Sequence, residues 1–176
     1  MRRREASHSA RRAREFEAFV AGAAGRLLHT ATLLTAEVPD ANPRARRLLT
    51  LALAHTYAAW DRLRGEDPYD RARQQLATRF ARTAWHTYGT LARHRPDAAG
   101  SPGPHRPGPA GALARLTPQE RLIVVLLLHE GVAEEQTAAL LGLSVERVRA
   151  VHARALAALL HPPRGPAPAR VGVAPS

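Results

Sequence analysis

Downstream of Ser144 the chain places Glu146, Arg147, Arg149 and Arg154 on one short apolar-and-basic segment that must stop before Pro162. These are side chains that recognise nucleic acid. Arginine pairs bidentately with guanine, glutamate accepts from cytosine N4, and arginine or a serine hydroxyl can hold a phosphate. Arg147, nearest the start of the segment, is the candidate for base reading; Arg149 and Arg154 suit bases, phosphate or plain solvation. The preceding residues turn this charge run into a geometry. A helix from about Glu134 to Leu141 is expected to end at Gly142, where a positive φ is wanted. Leu143 then points back into the core, and Ser144 can cap the next helix. Two helices joined by so short a turn, the second one basic, form a unit that enters the major groove of DNA.

The elements that position this pair are legible upstream. Thr117-Pro118-Gln119-Glu120 has the pattern of a capping box with Pro in the first turn, opening an apolar helix from Leu122 to Leu128. Ala133 stands where a capping side chain is wanted, so the middle helix lacks a good N-cap. In the last helix Val148, Ala155, Leu156 and Leu159 recur at helical spacing as the buried face, which turns Arg147 and Arg154 outward.

Composition shifts divide the rest. Residues 1–13 read as a disordered Arg-rich arm, and Arg2, Arg3, Arg4, Arg11 and Arg12, with Arg14 just beyond it, could track phosphate or stay solvated. Residues 14–93 read as a helical domain with three helices. The first carries Phe16, Phe19, Val20, Leu27, Leu28, Ala31 and Leu34, and a break follows from Val38 to Pro43. The second, from about Arg44 to Arg64, carries Leu48, Leu49, Leu53, Tyr57 and Trp60. The third opens at Pro68 and runs through Leu76 and Phe80 towards Trp85 and Tyr88. Residues 94–112 are a Pro/Gly-rich linker, 113–161 the helix-turn-helix domain, and 162–176 a disordered tail. No alternating strand pattern occurs, so the fold class is all-α: two small helical domains, the C-terminal one a helix-turn-helix.

The chain has 176 residues and a formal charge of +11, carried by 26 basic residues that are all Arg. That balance favours polyanionic partners and steep salt dependence. With no cysteine, disulfides and thiolate metal sites are excluded. The 9 His show no ligand spacing, so no metal or cofactor is expected. Gly22 and Gly25 lie inside a helical pattern rather than a phosphate loop, and no nucleophile or paired-carboxylate arrangement appears, so an enzyme is not expected. The N-terminus lacks the apolar run of a secretory signal and no stretch is long enough to span a membrane, which points to a cytoplasmic protein.

Residues 116–160 resemble the promoter-reading C-terminal domain of extracytoplasmic-function (ECF) sigma factors of the sigma-70 superfamily. The match is carried by Leu116, Arg121, Ile123-Val124, Glu130-Gly131, Ala138, Leu140, Leu141-Gly142-Leu143-Ser144, Val148 and Arg154-Ala155-Leu156. Phe16 to Val20, Leu27 to Ala31, Leu33 to Thr35, Ala52-Leu53, Thr56-Tyr57 and Trp60 resemble the first domain of an actinobacterial-type subgroup, and Asp67-Pro68-Tyr69 with Arg71, Arg73 and Leu76 matches more loosely. The resemblance implies promoter DNA and core RNA polymerase as partners, an anti-sigma factor as a possible third, and Tyr57, Trp60, Tyr69, Arg71 and Arg73 as contacts to the −10 element or polymerase.

Two departures stand out. Arg44, Arg46 and Arg47 occupy a stretch where the family carries carboxylates that grip polymerase; such a reversal turns an attractive contact repulsive and puts docking in the usual mode in question. Val151 and His152 look transposed, removing one basic DNA contact and tilting a His towards the core. The leading reading is therefore an ECF-type sigma factor. The alternative is a sigma-derived or LuxR-like DNA-binding regulator that does not dock on polymerase in the usual way. A protein-interaction module that does not bind DNA is the third.

Overall fold

The computed structural model describes residues 2–63, 65–91 and 109–161. Helix α1 (Arg2–Thr35) leads to α2 (Pro43–Ala58), a 3₁₀ turn (Trp60–Arg62) and α3 (Pro68–Leu91). The second part comprises α4 (Pro109–Ala114), α5 (Pro118–Val124) continued by a π-helical turn (Val125–His129), α6 (Glu134–Leu141) and α7 (Val145–Leu160). The class is all-α, and no strand forms among the described residues.

Within the arm expected to be disordered over residues 1–13, residues 2–13 are instead the start of α1. Arg, Ala and Glu are strong helix formers, and a helix already nucleated by a packed stripe propagates cheaply into them. Three contacts hold the extension: Arg12 lies over the Tyr57 ring at 4.3 Å and bonds Asp61 at 3.0 Å, while Arg11 pairs with Glu15 one turn on at 3.6 Å. Arg11 and Arg12 are thus engaged within the protein rather than free to track phosphate.

Helix α1 ends in a Schellman motif: Glu37 N–H bonds Thr32 O at 3.3 Å, and Ala36 N–H bonds Leu33 O at 3.2 Å. The left-handed position is Ala36, at φ +52, the one non-glycine positive φ among the described residues. Glu37 then caps the next helix from outside. Its carboxylate accepts from the backbone N–H of Arg44 (3.1 Å) and Ala45 (2.8 Å), filling the place that Pro43 at the first helical position leaves without a conventional cap. Burial alone would raise the Glu37 carboxyl. The N–H groups of Ala45 and Arg44, the Thr35 hydroxyl and the Arg44 guanidinium outweigh it and hold the group below the usual carboxylate range. The second helix ends sooner than expected, at Ala58, where the 3₁₀ turn takes over.

Small residues set the packing of the first three helices. Ala23, Ala31, Ala45, Ala52 and Ala72 are buried with Leu27, Leu49 and Leu76, which lets the three axes approach closely. A second cluster crosses from one part to the other. Leu34, Ala77 and Ala81 join Leu122, Ile123, Val125, Leu126, Val148 and Val151 in one core. Each fully buried Leu or Ile there contributes about 1.5–3 kcal/mol.

Helix α4 begins at Pro109, inside the expected linker. Its Ala-rich run with Pro at the start is a competent helix, and Leu113 packs with Leu116, Val124 and Ala155. The remainder of the expected linker, up to residue 108, and the expected tail beyond His161 lie outside the described residues, as do the side chains of Trp85 and Tyr88.

Candidate nucleic-acid interface

The turn between α6 and α7 forms as the residue types require. Gly142 adopts φ +65, the Leu143 N–H returns to Ala138 O at 3.0 Å, and the Ser144 hydroxyl accepts from Arg147 N–H at 3.2 Å. The supporting helix α5 opens on a complete capping box: Thr117 accepts from Glu120 N–H, and Glu120 accepts from Thr117 N–H at 3.0 Å. Ala133 makes no side-chain cap.

Helix α7 buries Val148, Val151 and Ala155 and turns its other side to solvent. Val151 is thus a core residue and not part of the DNA-facing surface. His152 is half-buried and its Nε2 has no hydrogen-bond partner in the structure.

The outward residues separate by what they touch. Arg147 is exposed and meets no carboxylate among the described residues. Arg149 bonds Glu134 at 2.5 Å and lies 3.9 Å from Glu135, tying α7 to the start of α6. Arg154 bonds Glu120 at 2.8 Å, tying α7 to the capping box of α5. Burial would raise Glu120, but Arg154 and Thr117 keep it below the usual carboxylate range. Glu146, fully exposed, is also held low, by its own backbone N–H first and the Ser144 hydroxyl second. Of the five residues expected at DNA, Ser144 caps, Arg149 and Arg154 brace, and Arg147 with Glu146 stands at the exposed start of the helix.

The N-terminal candidates fall into two places. Tyr57 and Trp60 form an aromatic cluster with Phe16 and Phe19, the Phe16–Trp60 rings meeting edge-on at 5.1 Å. Tyr69 and Arg73 turn inward, to the junction between the two parts. Arg71 is half-buried.

That junction is organised by a residue whose role the sequence reading missed. Glu130, at the end of the π-helical turn, has a side chain with no solvent exposure. It accepts hydrogen bonds from the hydroxyls of Thr30 on α1 and Tyr69 on α3. It also meets Arg26 at 3.4 Å and Arg73 at 3.8 Å. Arg26 covers the Tyr69 ring at 4.7 Å. Burial, then the adjacent Glu130 charge, pushes the Tyr69 hydroxyl up to about 12. His129 packs edge-on against His29 at 5.0 Å, and burial lowers its pKa. The Glu130-Gly131 pair is visible in the sequence, with Gly131 at φ +66 releasing the chain from the turn. Its partners, on helices far earlier in the chain, carry no local signal.

Residues 112–161 match the family model of sigma-70 region 4. No curated protein and no solved structure matches the chain. The described helices contain none long and apolar enough to cross a membrane. The helix-turn-helix, its capped entry and the exposed start of α7 coincide with the matched stretch, so that residues 112–161 are similar to sigma-70 region 4 in sequence and have a helix-turn-helix in the same place.

Proposed function

We propose that this protein is a sigma factor of the ECF type, which uses α7 to read the −35 element and directs core RNA polymerase to its promoters. The observation that carries the reading is the α6–α7 unit within the region 4 match, with Arg147 presented free of carboxylates at the start of the second helix. An arginine there reaches base edges, while the bracing of Arg149 and Arg154 fixes the helix that carries it. The resemblance of the segments between Phe16 and Leu76 to the first sigma domain supports the polymerase half of the proposal.

A second reading has a specific observation behind it. Arg44, Arg46 and Arg47 are all exposed on α2, where carboxylates would serve a basic polymerase surface. This favours a sigma-derived regulator that binds DNA without the usual docking. Titration against core polymerase from the same source, with a promoter-directed transcription readout, separates the two. Saturable binding that yields specific transcripts supports the sigma factor. DNA binding with a steep salt slope and no polymerase binding supports the regulator.

A further inference from the structure

His129 closes the π-helical turn one residue before Glu130, its ring edge-on to His29 of α1 at 5.0 Å. Its Nε2 is buried without a hydrogen-bond partner, 3.8 Å from Glu130 Oε1 and beyond bonding reach. That carboxylate is already saturated. Oε1 accepts from Thr30 and Tyr69, and Oε2 accepts from Tyr69 and Arg26, with Arg73 at 3.8 Å. The other charges around the ring are either positive or paired elsewhere. Arg26 and His29 face it from α1, and α3 adds Arg73, itself paired with Asp70 at 3.0 Å. On α5, Glu120 holds Arg154 and Arg121 bonds the carbonyls of Leu34 and Leu116; on α6, Glu134 and Glu135 hold Arg149. A proton on His129 therefore adds a third cation to a cluster built around one carboxylate, and leaves a buried N–H without an acceptor.

We propose that His129 is a proton-operated latch on the seam between the two helical parts. Neutral, it lets Arg26, Tyr69 and Arg73 converge on Glu130, and the seam closes; protonated, it repels Arg26 and His29, and the seam opens. Attraction to Glu130 opposes the opening. Burial first, then His29 and Arg26, outweighs that attraction and holds the His129 pKa below its ordinary value. The open form, with the ring in water, therefore takes up the proton first. Closure is strongest above pH 6.5 and weakens as pH falls from there towards the lower pKa of the closed form. The apolar core that the two parts share sets where the equilibrium lies, and the proton shifts it. The latch lies away from the exposed start of α7, so the inference stands whether or not the DNA reading holds.

The test uses the full chain, which has no cysteine, so Thr50→Cys on α2 and Ala157→Cys on α7, both exposed, can take a donor and an acceptor dye. Energy transfer is read between about pH 7.5 and about pH 5.5, above the range in which Glu37 and Glu120 titrate. The low-transfer population is expected to grow about threefold or more on acidification, with far-UV circular dichroism unchanged. His129→Phe keeps a ring against His29 but takes no proton, and is expected to hold the population level across the range. His129→Gln, neutral and polar, should do the same, and guards against a packing fault in the first variant. An equal step in both variants would assign it to another of the 9 His and overturn the latch. So would the absence of a step in the parent, or a parallel loss of helicity, which would make the step acid unfolding. Higher transfer at low pH would also overturn it, because the imidazolium would then be joining Glu130 and tightening the seam.

Discussion

The hydroxyl of Tyr69 lies 3.0 Å from both carboxylate oxygens of Glu130, joining α3 to the end of the π-helical turn 61 residues further on. Together with Thr30 and Arg73 it leaves the buried carboxylate well partnered. A buried charge in that state is worth little against an apolar replacement of the whole group but much against loss of one member. Glu130→Ala is therefore expected to cost about 3 kcal/mol in urea unfolding, because Tyr69, Thr30, Arg26 and Arg73 all lose the carboxylate they converge on. Tyr69→Phe should cost about 1 kcal/mol. A Glu130→Ala variant as stable as the parent would mean that the two parts are held by their apolar core alone.

Tyr69 should ionise late. Tyr69 is raised in the folded state from the ordinary 10.0 to about 12. Its neutral form is the one the fold prefers, so its stabilising contribution is complete below pH 10.0 and is lost as pH rises through about 12. Absorbance titration of phenolate should resolve a high-pH step that Tyr69→Phe removes.

Two alanines mark places where helix ends are unimproved. Ala36 sits at φ +52, a left-handed position that costs a residue with a Cβ about 1 kcal/mol relative to glycine. Ala36→Gly should raise stability by up to about that amount, less the entropy glycine adds to the unfolded chain. Ala133→Ser supplies the missing cap of α6 and should add about 1 kcal/mol. Chemical denaturation of the two variants, with an unchanged slope, is the check.

Arg147 and Arg154 should fail in opposite ways. Arg147→Ala is expected to lose about 1–3 kcal/mol of affinity for a selected −35 duplex with no change in stability. Arg154→Ala should lose about 0.5–1 kcal/mol of stability, the exposed Arg154 end of the pair being screened by solvent. Glu120 adds a pH signature to the second. Its folded pKa is depressed below the ordinary 4.5, so its contribution is present above that value and lost as pH falls through the folded pKa. The loss of stability on acidification should therefore be smaller in Arg154→Ala than in the parent. Equal DNA affinity for the parent and Arg147→Ala would remove Arg147 from base reading.

The parts of this fold legible in the sequence are those fixed by neighbours. Gly142, Ser144 and the Thr117–Glu120 box announce themselves because turns and caps are satisfied within a few residues. The identity of the bracing arginines is not legible there. Arg147, Arg149 and Arg154 look alike on a helical wheel, and only the tertiary placement of Glu134 and Glu120 separates them. The same holds for Tyr69 and Arg73, which face Glu130 across the junction, and for Val151, whose burial follows from the wider apolar face that α7 turns to α5. The N-terminal arm departs from expectation for a related reason. Its charge suggests disorder, while Tyr57 and Asp61, which anchor it, lie beyond any local window.

The core shared by Leu34, Ala77 and Ala81 with Leu122, Ile123 and Leu126 makes the covalent connection between α3 and α4 a tether rather than a hinge. Its contribution is an effective concentration. Proteolytic nicking of the chain between α3 and α4 should consequently leave two fragments that travel together on a sizing column and part only on dilution or when the Glu130 cluster is broken.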